Sequence, residues 1–316
     1  MRSRGRLLAT AFLPLSILAA LPLAAQEFRG TILGRVLDAS GHVVPQAAVA
    51  VVNEQTNVAI EVTSNAEGNY SVPLLLPGRY TVTATRSGFK KAVRAGIVVQ
   101  VQDRMVIDFT LEVGDLAQSI TVAESTPLLQ LADANLGQVV DRQFLERMPL
   151  AGESPLTLAA MAPGVRISNT GHVVSNAQND IAIMGGGGHE RGNDITVDGI
   201  PNVAPRQNGL AVTMPNVDSI EEFRVQTTMF DASDGRSSGG ALAMSTRSGT
   251  NTIRGSAYAY YRNLALNANS WNNNRLGRPK ENFSYHLWGG TIGGPVRLPK
   301  YNGADHTFFF FGFEKI

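Results

Sequence analysis

Strict two-residue alternation, broken at short intervals by glycine- and proline-bearing turns, leaves β-sheet as the main structural option for this chain. Tyr80, Val82 and Ala84 alternate with Thr81, Thr83 and Thr85. Met105, Ile107, Phe109 and Leu111 alternate with Val106, Asp108 and Thr110. A period of two sends one set of side chains into a core and the other into water. Turn residues recur at Ser40-Gly41, Glu67-Gly68-Asn69, Pro77-Gly78 and Ser87-Gly88. That spacing predicts a small antiparallel sandwich of about seven strands over residues 27–113, with one core.

Beyond the sandwich the texture changes twice. Residues 114–131 read as a linker with one short strand-like piece, Ser119-Ile120-Thr121-Val122-Ala123. Asp141 is placed to N-cap a helix reaching about Met148, which Pro149 ends. A second short helix is expected from Leu156 to Met161. Strands are expected at Ile195–Val197, entering an Asp198-Gly199 turn, at Glu222–Gln226 and at Ala241–Arg247. Residues 132–249 therefore read as a small α/β domain rich in loops. Residues 250–316 hold aromatic-rich strands around Tyr258, Tyr260 and Tyr261, from Phe283 to Ile292, and from Thr307 to Phe313, with a polar loop at Asn272-Asn273-Asn274 between the first two. Aromatic strands of about 10 residues fit either the first strands of a membrane β-barrel or a soluble meander. On a free edge, Phe308–Phe311 would invite aggregation, which closure into a barrel or further pairing removes.

The first residues point outward from the cytoplasm. Arg2, Arg4 and Arg6 precede an apolar run over residues 7–23, and Ala24-Ala25 precede a polar switch at Gln26. That is the layout of a signal peptide over residues 1–25. Two prolines, Pro14 and Pro22, and a length short of about 20 apolar residues argue against a spanning helix. A net charge of +1 gives no basic stripe for nucleic acid. The chain has no cysteine, so an exported fold must rest on core burial, and thiol chemistry is excluded.

No catalytic constellation, cofactor motif or metal site is expected. Gly235-Arg236-Ser237-Ser238-Gly239 has the spacing of a nucleophile elbow, but a β-like stretch follows rather than a helix, and Asp305-His306 lie together in a loop. His189-Glu190 lacks the second histidine of a zinc helix. Gly185–Gly188 lack the following Gly-Lys-Ser/Thr of a phosphate loop.

The ordered motifs carry a resemblance. Gly34–Gly41, Glu67-Gly68-Asn69-Tyr70, Leu76–Val82 and Gly88-Phe89 resemble a carboxypeptidase-regulatory-like domain, a prealbumin-like, carbohydrate-binding-like β-sandwich without peptidase activity. The resemblance makes Tyr80 and Phe89 core residues. Asn193–Ile200, Ser219–Gln226, Gly235–Gly240 with Ser248–Asn251, and Gly289–Pro295 with Phe308–Glu314 resemble, in order, the plug and first barrel hairpin of an Oar-like TonB-dependent receptor. It implies plug-motif residues at Asp194, Asp198, Gly199, Glu222, Arg224, Arg236, Gly239 and Gly240. A plugged barrel has about 22 strands. The 316 − 249 = 67 residues after Gly249 hold about three or four of them. The resemblance is thus to the N-terminal portion of such a receptor, truncated before most of the barrel.

The resemblance further implies an outer-membrane protein with periplasmic N-terminal domains, barrel contact with lipid, and energised uptake or export of an unidentified substrate. A TonB-type energy-transducing complex would be its partner, pulling on an accessible segment, the TonB box. Ser119, Ile120, Thr121, Val122 and Ala123 are the candidate for that segment, since their alternating character suits strand addition to a partner's sheet edge. The competing expectation is an envelope-associated carbohydrate-binding or adhesion module without transport.

Overall fold

The computed structural model describes residues 27–114, 119–121, 136–147, 156–159, 161–167, 181–183, 193–204, 207–211, 213–228, 239–280 and 284–315. The expected signal peptide, Gly185–Gly188, His189-Glu190 and residues 235–238 lie outside the described residues.

Residues 27–114 form the expected sandwich. Its strands are β1 (Gly30–Asp38), β2 (Ala48–Asn53), β3 (Ala59–Thr63), β4 (Asn69–Leu75), β5 (Gly78–Thr85), β6 (Lys91–Val99), β7 (Arg104–Val106) and β8 (Phe109–Leu111). One sheet has β1 between β4 and β7, with β8 also on β1; the other has the order β3-β2-β5-β6. The alternation reads directly into burial: Tyr80, Val82 and Ala84 point into the core, as do Met105, Ile107, Phe109 and Leu111. Tyr80 is buried and Phe89 packs half-buried on the same core. Each fully buried Val, Ile or Phe contributes about 1.5–3 kcal/mol, which is how a domain without disulfides holds.

Two features depart from the expected antiparallel sandwich. The stretch Met105–Leu111 splits into β7 and β8, and both run parallel to β1. At Ile107, between the two, the N–H stays on β1 but the carbonyl is taken by a side chain. The Ile107 N–H donates to the Leu33 carbonyl and its carbonyl accepts from the buried Tyr70 hydroxyl at 2.6 Å. Asp108 then takes the backbone N–H of Arg35 on its carboxylate. The linker also contributes a strand, β9 (Ser119–Thr121), which lies parallel on β6 and ends that sheet.

The middle of the chain forms a second unit. β10 (Leu136–Val140) precedes helices α1 (Arg142–Arg147) and α2 (Leu156–Ala159). Asp141 caps α1, accepting from the Phe144 N–H at 2.8 Å. Two small hairpins follow, β11 (Val165–Ile167) with β12 (Ile181–Ile183), and β13 (Asp194–Val197) with β14 (Ile200–Pro201). Asp198 and Gly199 turn the second with φ of 50° and 75°, the left-handed pair a tight hairpin needs. A further hairpin, β15 (Val203–Ala204) with β16 (Gln207–Ala211), leads to β17 (Ile220–Thr228) and β18 (Ala241–Thr246). The main sheet has the order β10-β17-β18-β13-β14. Val140, Leu145, Leu158, Phe223, Leu242 and Met244 form its core. The alternating Glu222–Gln226 strand does not have a wet face: all five residues are buried.

The last unit is a three-stranded antiparallel sheet of β19 (Arg254–Arg262), β20 (Tyr285–Pro295) and, after the short hairpin β21 (Arg297–Leu298) and β22 (Tyr301–Asn302), β23 (Phe308–Lys315). Asn272-Asn273-Asn274 is not loop but lies within a short helix, α3 (Trp271–Arg275), whose first turn Ser270 caps through the Asn273 N–H.

Gly34 tests the sandwich. A Cβ there would sit 1.9 Å from the Ile107 carbonyl oxygen and 3.1 Å from the Tyr70 ring. Gly34→Ala is expected to cost at least about 2–3 kcal/mol, and Tyr70→Phe about 1–3 kcal/mol through the orphaned carbonyl. Urea unfolding followed by near-ultraviolet circular dichroism measures both; a Gly34→Ala midpoint equal to wild type would contradict the packing described.

Candidate functional site

The middle sheet is covered on both faces, and its second face is where the units meet. β17 alternates Phe223 and Val225 toward the core with Glu222, Arg224 and Gln226 toward the other side. Its neighbour β18 places Ser245, Ala243 and Ala241 opposite those three polar residues, so the second face combines polar and small side chains. The sandwich turn Val101-Gln102-Asp103 sits on it. Arg224 forms a buried ion pair with Asp103 and donates to the Gln102 carbonyl at 3.3 Å. The Glu222 carboxylate accepts from the Val101 N–H. Asp103 also takes the Gln100 N–H at 2.9 Å, which fixes the turn. Burial pushes the Glu222 carboxyl up to about 8, with neighbouring Asp103 and Glu221 adding to the rise.

A second contact joins the sandwich to the last sheet. The Asn57 side chain donates to Asp305 at 3.0 Å, and the Asn251 N–H to the Gln55 carbonyl at 3.1 Å. Asn251 and Asp305 also exchange two bonds of 2.7 and 2.9 Å. The adjacent pair Asp305-His306 thus has an architectural use for its acid.

A third contact joins the middle unit to the last sheet through Asp218. Its carboxylate pairs with Arg142 at 3.3 Å and accepts from Ser256 of β19 at 2.6 Å. Ser256 is 2.8 Å from Thr291 of β20. Arg247 reaches across with its guanidinium 5.4 Å from the Phe310 ring. A cavity of about 420 Å3 opens where all three units meet, lined by Phe28, Leu76, Arg142, Glu221, Arg247 and Arg254 among others.

The sequence-predicted residues fall into separate places. Asp194, Asp198, Gly199, Glu222, Arg224, Gly239 and Gly240 all belong to the middle sheet or its approach. Asp194 donates its N–H to the Gly240 carbonyl at 2.9 Å, and the Asp198 carboxylate takes both the N–H and the hydroxyl of Thr246. Glu222 and Arg224 reach the sandwich. Arg236, Val122 and Ala123 lie outside the described residues. Ser119–Thr121 stand apart on the sandwich edge. Sequence reasoning missed Asp103, Asp218 and Asn251. For Asp103 the one signal was the polar face of β17 that it covers; Asp218 and Asn251 lie in short connections with no periodic signal.

The raised Glu222 carboxyl carries a pH dependence. The docked state holds a proton that an undocked chain releases near its ordinary value of 4.5. This stabilisation is complete below that value and is lost as pH rises toward about 8. The melting temperature is expected to fall from about pH 5 to about pH 8.5, and to fall less in Glu222→Gln, which keeps the acceptor but cannot ionise. Equal slopes in calorimetry would remove Glu222 as the source.

Comparison with known proteins follows the same division. Residues 31–112 match the carboxypeptidase regulatory-like domain, and residues 245–316 match the outer membrane beta barrel domain. The TonB-dependent transporter Oar of Myxococcus xanthus is 28% identical over 304 residues, covering 92% of this chain and 27% of that protein. The chain therefore spans about a quarter of the length of this relative. Among solved structures, the outer membrane transporter YddB of Escherichia coli is 15% identical, with a TM-score of 0.37, over 50% of this chain and 24% of its own. Hydroxyquinol 1,2-dioxygenase of Pseudomonas putida DLL-E4 is 11% identical, with a TM-score of 0.23, over 29% of this chain and 58% of its own. At those scores neither likeness carries an argument. The two domain matches and the Oar overlap make this chain similar, in order, to the N-terminal portion of an outer-membrane TonB-dependent transporter, a regulatory-like sandwich ahead of the opening of a β-barrel.

Proposed function

We propose that the protein works as a receptor or transporter component for energised uptake or export of an unidentified substrate, with residues 132–249 as the plug and no catalytic role of its own. The observation that carries this reading is the two-sided character of β19, β20 and β23. One face presents Trp288, Ile292, Phe309, Phe311 and Phe313, all exposed. Trp288 and Phe313 rings touch at 5.3 Å there. The other face presents Ser256, Tyr258, Thr291 and Glu314, with the Tyr258 hydroxyl donating to Glu314 at 2.8 Å. That polar face is the one against which Asp218 and Arg247 of the middle unit pack. Apolar outside and polar inside, wrapped on a folded domain, is the demand a plugged membrane barrel makes.

The outer face supplies one test. Ile292→Arg and Phe311→Arg are expected to cost about 2–4 kcal/mol of membrane stability near the midplane, while Tyr260→Arg on the inner face costs little. The readout is the amount of gene product in the outer-membrane fraction; equal loss for all three would contradict a lipid-facing assignment.

The reading also includes Ser119–Ala123 as the TonB box, supported by the strand form of Ser119–Thr121 at the sandwich edge. Purified chain is expected to retain a TonB C-terminal domain in a pull-down. Ile120→Pro with Val122→Pro, which removes two ladder donors, is expected to abolish retention. Retention unchanged by the prolines would sink the assignment.

A further inference from the structure

We infer that β9 engages its partner without leaving the sandwich, so that the partner's edge strand adds to the outer edge of β9 and extends the sheet β3-β2-β5-β6-β9 by a strand. This rests on the reading of Ser119–Thr121 as part of the partner-binding segment. The sheet order puts β9 last: β6 occupies one edge, and among the described residues no strand pairs with the other. In any strand, alternate residues direct their N–H and C=O groups to opposite sides. The residues that bond β6 are therefore not those that would bond a newcomer. An unpaired edge of this kind is a template for strand addition.

The tether limits the alternative. The chain is pinned where it leaves the sandwich: Gly114 donates to the Gly88 carbonyl at 3.1 Å, and Lys90 donates to the Glu112 carbonyl at 2.8 Å. Val113 bridges Phe89 between these contacts. Residues 115–118 alone separate Gly114 from β9. Five peptide steps span at most about 17 Å. A folded partner bound to Ser119–Thr121 must therefore sit beside the sandwich whether or not β9 detaches. Detachment would break the β6 pairing at Lys91–Val93 and gain no distance beyond that tether.

The position also suits access. β6 runs from Lys91 toward the Gln100–Asp103 turn that seats on β17. β9 pairs with the start of β6, at the end of the sandwich away from that seat and from Asn57, which contacts the last sheet. The composite sheet would thus form away from the contacts that the described residues make with β17 and the last sheet.

The test is a reversible staple. Lys91 and Ser119 are register partners, as are Val93 and Thr121. Lys91→Cys with Ser119→Cys, and separately Val93→Cys with Thr121→Cys, are made in the otherwise cysteine-free full chain. Binding of a purified TonB C-terminal domain is then titrated with and without dithiothreitol. The inference expects oxidised and reduced forms to bind within about threefold of each other. Loss of about tenfold or more on oxidation, restored by reductant, would show that β9 must detach and would overturn this inference alone. Failure of the reduced forms and of the unmodified chain to bind would overturn the partner-segment reading, and this inference with it. Two staples at different positions separate a constraint on release from a local distortion, since a distortion would affect one and not both.

Discussion

The buried ion pair between Arg224 and Asp103 is the interaction on which the arrangement depends. Both side chains are almost fully withdrawn from water, at 7% and 2% exposure. Charges in that situation are tolerable only with their partners in place, because either one alone carries an uncompensated desolvation cost of several kcal/mol. Two further bonds cross the same seam: Glu222 takes the Val101 N–H, and Arg224 also donates to the Gln102 carbonyl. An apolar seam would tolerate sliding. A seam of this kind pairs its charges in one register, so it fixes which end of the sandwich meets the middle sheet and in what orientation.

That fixed seat sets requirements for the last sheet. In the proposed barrel, β19, β20 and β23 would meet a folded unit on one side and hydrocarbon on the other. The inner side solves the problem with hydrogen-bonding groups and small residues. Ser256 and Thr291 link to Asp218. At Gly312 a Cβ would fall 2.3 Å from the Ser219 hydroxyl, so the wall approaches the middle unit there at backbone distance. The outer side needs no partner from this chain, which is why its aromatic residues remain exposed without a packing defect. Phe308–Phe311 is then not an error of solubility. Its alternate members serve two environments, Phe310 against Arg247 and Phe309 with Phe311 outward.

Much of this was legible because alternation is a local signal. Tyr80, Val82 and Ala84, or Met105 through Leu111, declare a buried face with no knowledge of the partner. The Asp198-Gly199 turn and the Asp141 cap are equally local. What could not be read was what covers a face. Glu222, Arg224 and Gln226 look like a solvated edge until a turn more than 100 residues earlier is set on them. The parallel pairing of β7 and β8 with β1 likewise depends on how the chain crosses between sheets. The Ile107 carbonyl between them is taken by a Tyr70 hydroxyl 37 residues away in sequence. The Asn272–Asn274 helix is the opposite case, a local element misread because asparagine favours turns and Ser270 supplies a cap that composition alone hides.

The covalent connection cannot do the work of the polar seam. β9 runs parallel to β6 and so leaves the sandwich heading toward the end that seats on β17. From there residues 122–135, fourteen in all, lead to Leu136, which pairs with Thr228. Fourteen residues have a maximal reach of about 50 Å. A connection with that reach permits many placements of the sandwich and selects none. Selection falls to the groups that are costly to bury unpaired, Asp103, Glu222 and Arg224. Glu222 and Arg224 lie on β17 and Asp103 on the sandwich turn that meets them, while β10, at the far end of the same connection, pairs along an edge of that same strand. A load on residues 122–135 would meet the β9 pairing on β6 at one end and the β10 ladder on β17 at the other.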